Sequence, residues 1–330
     1  MVFNGLKVNS KKNQNSEAII KYKFENENWK DLIHYAIKQD FLSQTATICT
    51  NYALYKEGRL LDSMFKILQN YSGHGLLAQY HFYKPDDNVA LNFFYNKNAI
   101  LLGKIYFELG LHTCVQRIAV DFLARYGNQP QALMLLINNH LAYGEIEAAR
   151  KYISILEKNP FYKKQVKKFQ ELAKDSVKKQ LTSYEIIEAS LASYPSINLE
   201  LILESDEKNE MAFEYYIAYC LLYKDLSKLS YIVDKLIERG FKTMPENFEI
   251  CTYINNAFYN NPINLKDLKR NLDLHEQFLT FFRKLMNTPN KEIAKKELRS
   301  YQGSYMYYFI FTEVNLLVDV SSQSSPDHFN

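Results

Sequence analysis

The side chains best suited to chemistry cluster between residues 71 and 92. His74, His81, Asp86 and Asp87 are of the types that ligate a divalent ion, and Tyr83 lies among them. Their separations match no metal site, so no metal is expected, and Lys84-Pro85-Asp86-Asp87 reads as a turn. His275-Glu276 begins like the zinc-protease pattern H-E-x-x-H, but Leu279 stands where the second histidine is required. Cys49, Cys114, Cys220 and Cys251 are far apart and form no C-x-x-C pair. They read as small buried hydrophobes, neither a zinc knuckle nor a disulfide framework. No Walker loop, G-x-G-x-x-G turn or G-x-S-x-G elbow occurs. No catalytic residue and no cofactor is therefore expected.

The elements that must position these groups are helices. Gly (10) and Pro (8) are few in 330 residues, too few to punctuate a many-stranded β protein. Gly110 and Gly144 are 34 residues apart, as are Val115 and Ala149, which is the period of a tetratricopeptide repeat. In each copy a glycine marks the turn between two helices, a small residue follows where they touch, and a proline (Pro130, Pro160) closes the unit. Degenerate copies occur at Trp29, Leu32, Ile33 and Ala36, at Leu54, Gly58, Leu61 and Ile67, and from Phe213 to Leu236 with Asp225 in the turn. The expected fold is all-α, a right-handed solenoid of antiparallel helix hairpins with irregular tetratricopeptide-like repeats.

A polar, disordered N-terminus is expected over 1–15, a single helical-repeat solenoid over 16–319 and a disordered tail over 320–330. Gly58 and Gly110 are 52 residues apart, longer than one repeat, which places an inserted loop near 71–92. Further helices are expected at 183–194, 210–223, 226–239, 246–259, 265–286 and 305–318. The lysine-rich stretch 158–179 keeps helical spacing, with Phe169 and Leu172 facing inward and Lys163, Lys164, Lys167 and Lys168 on a face read first as solvated, the alternative being a patch for anionic lipid or an acidic partner.

Charge and hydropathy argue against a dedicated nucleic-acid binder, a signal peptide and a membrane span. Forty basic against 37 acidic residues leave a net +3, too small for a dedicated nucleic-acid binder. Residues 1–16 have no apolar core of a signal peptide, and the apolar run 305–320 is interrupted by Glu313 and falls short of the roughly 20 residues a membrane helix needs.

Several strings resemble one bacterial family known only as a domain of unknown function. They are Asn51-Tyr-Ala-Leu54, Gly58-Arg-Leu-Leu-Asp62-Ser-Met64-Phe65 with Gln69, Gly75-Leu76-Leu77, Asn209-Glu-Met211-Ala212-Phe213-Glu214-Tyr215 with Ala218-Tyr219, Lys224-Asp225-Leu226, and Ser304-Tyr305-Met306-Tyr307-Tyr308. The match covers most of 17–312. The resemblance implies a tetratricopeptide-like soluble region, usually preceded by N-terminal transmembrane helices, and hence a cell-envelope setting. It implies no activity and no catalytic residues. This chain lacks such helices, and reads as a soluble part or a shortened relative.

The function expected is a non-enzymatic protein-interaction scaffold holding an unknown protein or peptide. Candidate partner contacts are His74, His81 and Tyr83 in the loop and Tyr215, Tyr216 and Tyr219 on a helix. In a helical array the same tyrosines also serve as packing between layers. The alternatives are a ligand-binding module or enzyme with a site under the 71–92 loop, and a passive spacer.

Overall fold

A computed structural model describes residues 15–77, 89–175 and 195–314, with the backbone alone at 89–97, 175 and 195–198. In chain order the helices are α1 (15–25), α2 (Trp29–Ile37), α3 (Gln44–Lys56), α4 (Leu60–Ser63), α5 (Val89–Glu108), α6 (His112–Tyr126), α7 (Pro130–Ala142) and α8 (Ile146–Glu157). They continue as α9 (Lys163–Asp175), α10 (Pro195–Ser205), α11 (Glu210–Tyr223), α12 (Leu229–Glu238), α13 (Glu246–Tyr259), α14 (Leu272–Asn287), α15 (Lys291–Glu297) and α16 (Tyr305–Phe311). Among the described residues the chain is all-α, with no strand and an isolated parallel bridge between Thr243 and Lys269. No helix among them is long and apolar enough to cross a membrane. The described residues fall into two compact units, one drawn from Met1–Leu76 with Phe213–Asn330 and one from Leu77–Ala212.

In the Leu77–Ala212 unit each of α5 to α8 packs on the helix that follows it, and α7 also touches α5 and α9. The turns explain this regularity. Gly110 and Gly144 adopt φ values of 78° and 69°, a left-handed conformation that glycine enters without a Cβ clash. Each turn then closes identically: Leu111 N–H donates to Tyr106 O at 2.9 Å, and Glu145 N–H to His140 O at 2.8 Å. Lys224 closes α11 the same way at φ 56°, with Asp225 N–H donating to Cys220 O at 2.9 Å. A core of Leu133, Ile137, Ile153, Leu156, Val166, Phe169 and Ala173 joins α7, α8 and α9. Ala149 is fully buried on α8. Ala149→Leu is expected to cost about 1 to 3 kcal/mol by overpacking, measured by urea unfolding.

In the other unit, polar side chains tie the turns to the helices. Asn51 and Gln69, both buried, form a reciprocal amide pair: Gln69 Nε2 donates to Asn51 Oδ1 at 3.0 Å and to Met64 O at 2.7 Å. Asn51 Nδ2 in turn donates to Gly75 O at 2.9 Å, pinning the 3₁₀ turn Ser72–Gly75 against α3. α4 packs on α13, a segment more than 180 residues later: Asn247 Nδ2 donates to Leu61 O at 2.7 Å.

The elements differ from the expected ones at several points. In the segment expected as a loop, 71–92, residues 72–75 are a buried 3₁₀ turn and α5 already begins at Val89, while 78–88 lie outside the described residues. α14 starts at Leu272, not at 265, because Lys269 N–H donates to Lys242 O at 2.9 Å and Asn271 caps the helix through Leu274 N–H. α10 had no counterpart among the expected helices. Leu172 is 45% exposed, where it was expected to face inward. The seam of α9 runs through Val166, Phe169 and Ala173, and Leu172 falls about 100° to its side. The expected helix at 183–194 and the tail at 320–330 fall outside the described residues.

Candidate functional site

His81 and Tyr83 lie outside the described residues; the other four sequence candidates are placed, and the turn that carries His74 lies against Tyr219 through Gly73. His74 sits in the 3₁₀ turn, where its carbonyl accepts from Gln44 Nε2 at 3.2 Å, and its Nε2 is buried with no hydrogen-bond partner among the described residues. Tyr215, Tyr216 and Tyr219 on α11 are 0%, 2% and 9% exposed, so they present almost no surface to a partner. Tyr215 packs edge-on to Tyr55 with centroids 6.0 Å apart, and Tyr216 edge-on to Tyr231 at 6.2 Å. Tyr219 stacks on Tyr223 at 4.4 Å. The four cysteines are buried and none is in a disulfide among the described residues.

The arrangement with the most concentrated polar chemistry is one that sequence reading missed. A cleft of about 500 Å³ opens where α13 and α14 begin. Phe241, Thr243, Met244 and Pro245 line it together with Asp62, Glu246, Glu249, Lys269, Arg270 and Asn271; Glu249 is buried, and Glu246, Lys269 and Arg270 are exposed. Two helix N-termini converge here. Asp62 Oδ1 accepts from Glu246 N–H at 2.7 Å, so α4 supplies a carboxylate to the positive end of α13. Asn271 caps α14.

Glu249 joins the two helices. It is 1% exposed, and its Oε1 accepts from Asn271 N–H at 2.7 Å and from the Tyr253 hydroxyl in a short hydrogen bond. Burial pushes the Tyr253 hydroxyl well above the usual tyrosine value, and the neighbouring Glu249 carboxylate adds to it, both as acceptor and as negative charge; the Arg270 guanidinium opposes the shift. The Tyr253 ring rests on His275 at 4.8 Å and on Phe278 at 5.6 Å. This carboxylate is thus held by two donors, both on Oε1, and works as a clamp. The other charged and apolar groups of the lining are the Lys269 and Arg270 cations, the Asp62 and Glu246 carboxylates and Phe241, which is 41% exposed.

A second buried polar cluster lies nearby in the same unit. Cys251 Sγ is 3.6 Å from the Tyr305 hydroxyl, and Tyr308 donates to Leu222 O at 2.8 Å. Burial pushes the Cys251 thiol up to about 12 and raises the Tyr305 and Tyr308 hydroxyls above their ordinary range. A thiol so shifted stays protonated at neutral pH and is no nucleophile. Among the described residues no three His, Cys, Asp or Glu side chains come together as metal ligands do.

These raised values set a direction for alkaline stability. The unfolded chain releases the Cys251 proton near its ordinary 9.0 and the tyrosine protons near 10.0, before the folded protein does. Stability is therefore complete below pH 9.0 and falls as pH rises through the window up to about 12 for the thiol. Melting temperatures by circular dichroism from about pH 8 to about pH 11 are expected to fall beyond about pH 9. Cys251→Ala is expected to flatten the first part of that fall.

Little in the sequence pointed to the cleft. The Asn271 cap before the apolar periodicity of α14 was legible in principle. Asp62, from a helix remote in the chain, had no signal at all. Compared with known proteins, the chain matches the model of a family of unknown function, DUF6057, over residues 2–312. No curated protein matches it, and no solved structure does.

Proposed function

The chain belongs to the DUF6057 family, and from the geometry of its cleft we propose that it is a non-enzymatic interaction scaffold that holds a segment of a partner protein at the N-terminal ends of α13 and α14. The observation that carries this reading is the cleft lining. Lys269, Arg270, Asp62 and Glu246 share it with the exposed Phe241 and with Glu249, whose carboxylate is already held by two donors. An aromatic anchor among charges of both signs suits a peptide with its own apolar and charged side chains. A carboxylate fixed by buried hydrogen bonds keeps the lining pre-organised, which lowers the ordering cost of binding.

The architecture that accompanies this function is a right-handed, tetratricopeptide-like solenoid of antiparallel hairpins. The matching closures at Gly110 and Gly144 and the consecutive packing of α5 to α9 support it. The cell-envelope setting implied by the family resemblance belongs to the same reading.

The test is affinity capture from the native organism with the immobilised full chain, beside a variant carrying Phe241→Ala, Lys269→Glu and Arg270→Glu. A protein retained by the native chain and lost by the variant, at equal melting temperature, is the expected result. Equal retention by both removes the cleft from the reading, and capture of nothing favours a small-molecule site or a spacer.

A further inference from the structure

A second surface, independent of the cleft, lies where α8 passes into α9. Phe161 is 89% exposed, the most exposed of the large hydrophobic side chains among the described residues. It is not on a fraying end. Pro160 opens the 3₁₀ turn Pro160–Tyr162, and Asn159 Oδ1 accepts from Phe161 N–H at 3.2 Å, so the turn is built to hold this ring outward. Water is a poor environment for a ring held that way, and burying it in an apolar phase is favourable.

The surroundings of the ring are basic. Lys158 precedes the turn, Lys163 and Lys164 follow it, and Lys167, Lys168 and Lys174 continue along α9; all six are exposed. At 100° per residue these positions on α9 cover the side away from Val166, Phe169 and Ala173, which face the core. None of the six has an ion-pair partner among the described residues, and Glu157, Glu171 and Asp175 are the three acidic residues of the stretch 157–175, against six lysines. No arginine occurs in it. Lysines act as strongly hydrated point charges, whereas arginine forks are the usual means of gripping a protein carboxylate in a fixed geometry. An outward ring beside a field of point charges is complementary to a sheet of negative charge with an apolar layer just beneath it.

We infer that the edge formed by the Pro160–Tyr162 turn and the outer face of α9 docks on the surface of a bilayer containing anionic lipid. Phe161 enters the boundary between headgroups and acyl chains, and the lysines remain at the level of the phosphates.

The test is co-sedimentation of the full chain with vesicles of phosphatidylcholine containing about 30% phosphatidylserine, beside vesicles of phosphatidylcholine alone. Sedimentation with the anionic vesicles is expected, with loss at about 0.5 M salt. Phe161→Ser is expected to weaken it about tenfold, and the variant with Lys163, Lys164, Lys167 and Lys168 all replaced by Gln about a hundredfold or more. All of these side chains are exposed, so both variants should melt with the native chain. Equal sedimentation with both vesicle types, none with either, or native-like binding by the Gln variant would overturn the inference. Retention on immobilised polyglutamate without vesicle binding would overturn it too, and would point to an acidic protein in the lipid's place.

Discussion

Gly73→Ala is expected to destabilise the protein by about 3 kcal/mol, although it adds a single methyl group. A Cβ built on Gly73 would collide with Tyr219 Cε2 and lie 2.7 Å from Tyr223 Cε2, far inside van der Waals contact. These atoms belong to rigid rings stacked on each other at 4.4 Å, and Tyr219 is buried on α11, so neither ring can yield as the tip of an aliphatic chain would. Chemical unfolding of Gly73→Ala beside Gly73→Ala/Tyr219→Ala separates the causes. Removing the ring should recover part of the loss, because the clash is with that ring. The same experiment bears on Tyr219 as a partner contact: a ring wedged on Gly73 contributes to stability, and Tyr219→Ala alone should lower the melting temperature.

Glu249→Ala is expected to cost about 3 to 4 kcal/mol, because it strands two donors, the buried Tyr253 hydroxyl and the Asn271 N–H. Glu249→Gln keeps an acceptor oxygen in place but loses the charge, and should cost about 1 to 2 kcal/mol. Adding Tyr253→Phe to Glu249→Ala removes one stranded donor, so the double variant should be less destabilised than the sum of the two single ones. Urea unfolding of the four proteins measures this directly. Strict additivity would show that the hydrogen bond between Glu249 and Tyr253 contributes nothing, and the clamp between α13 and α14 would then rest on apolar packing.

The cleft and the clamp were hidden in the sequence for a reason that particular residues make clear. Glu249 lies in the run Glu246-Asn-Phe-Glu249-Ile, where its helical position is legible but its burial is not. Burial of a carboxylate depends on what covers it, and the cover comes from Asn271 and Tyr253. Asp62 is likewise an ordinary helix residue until Glu246 N–H is set 2.7 Å from it. The aromatic candidates were visible as a cluster on α11, yet a helix whose sides are buried all round has no single apolar stripe to distinguish core from groove. Nearly every residue from Met211 to Leu222 is buried, which is why Tyr215, Tyr216 and Tyr219 pack inward.

Local rules were sufficient for another part of the molecule. The helical class followed from the scarcity of glycine and proline and from 3.6-residue periodicity. The turns at Gly110 and Gly144 followed from a residue type that alone enters φ near 70° without strain. The inward seat of Ala149 followed from its size. These are properties of a residue and its near neighbours along the chain, and the sequence by itself determined them. Tertiary structure alone decided the pairing of Asn51 with Gln69, the cap that Asp62 places on α13 and the close fit of Gly73 against Tyr219. Most of these join residues tens to nearly two hundred positions apart; in all of them the outcome depends on which surfaces meet, and hydrogen bonds, burial and steric contact act through space while the sequence orders residues along the chain.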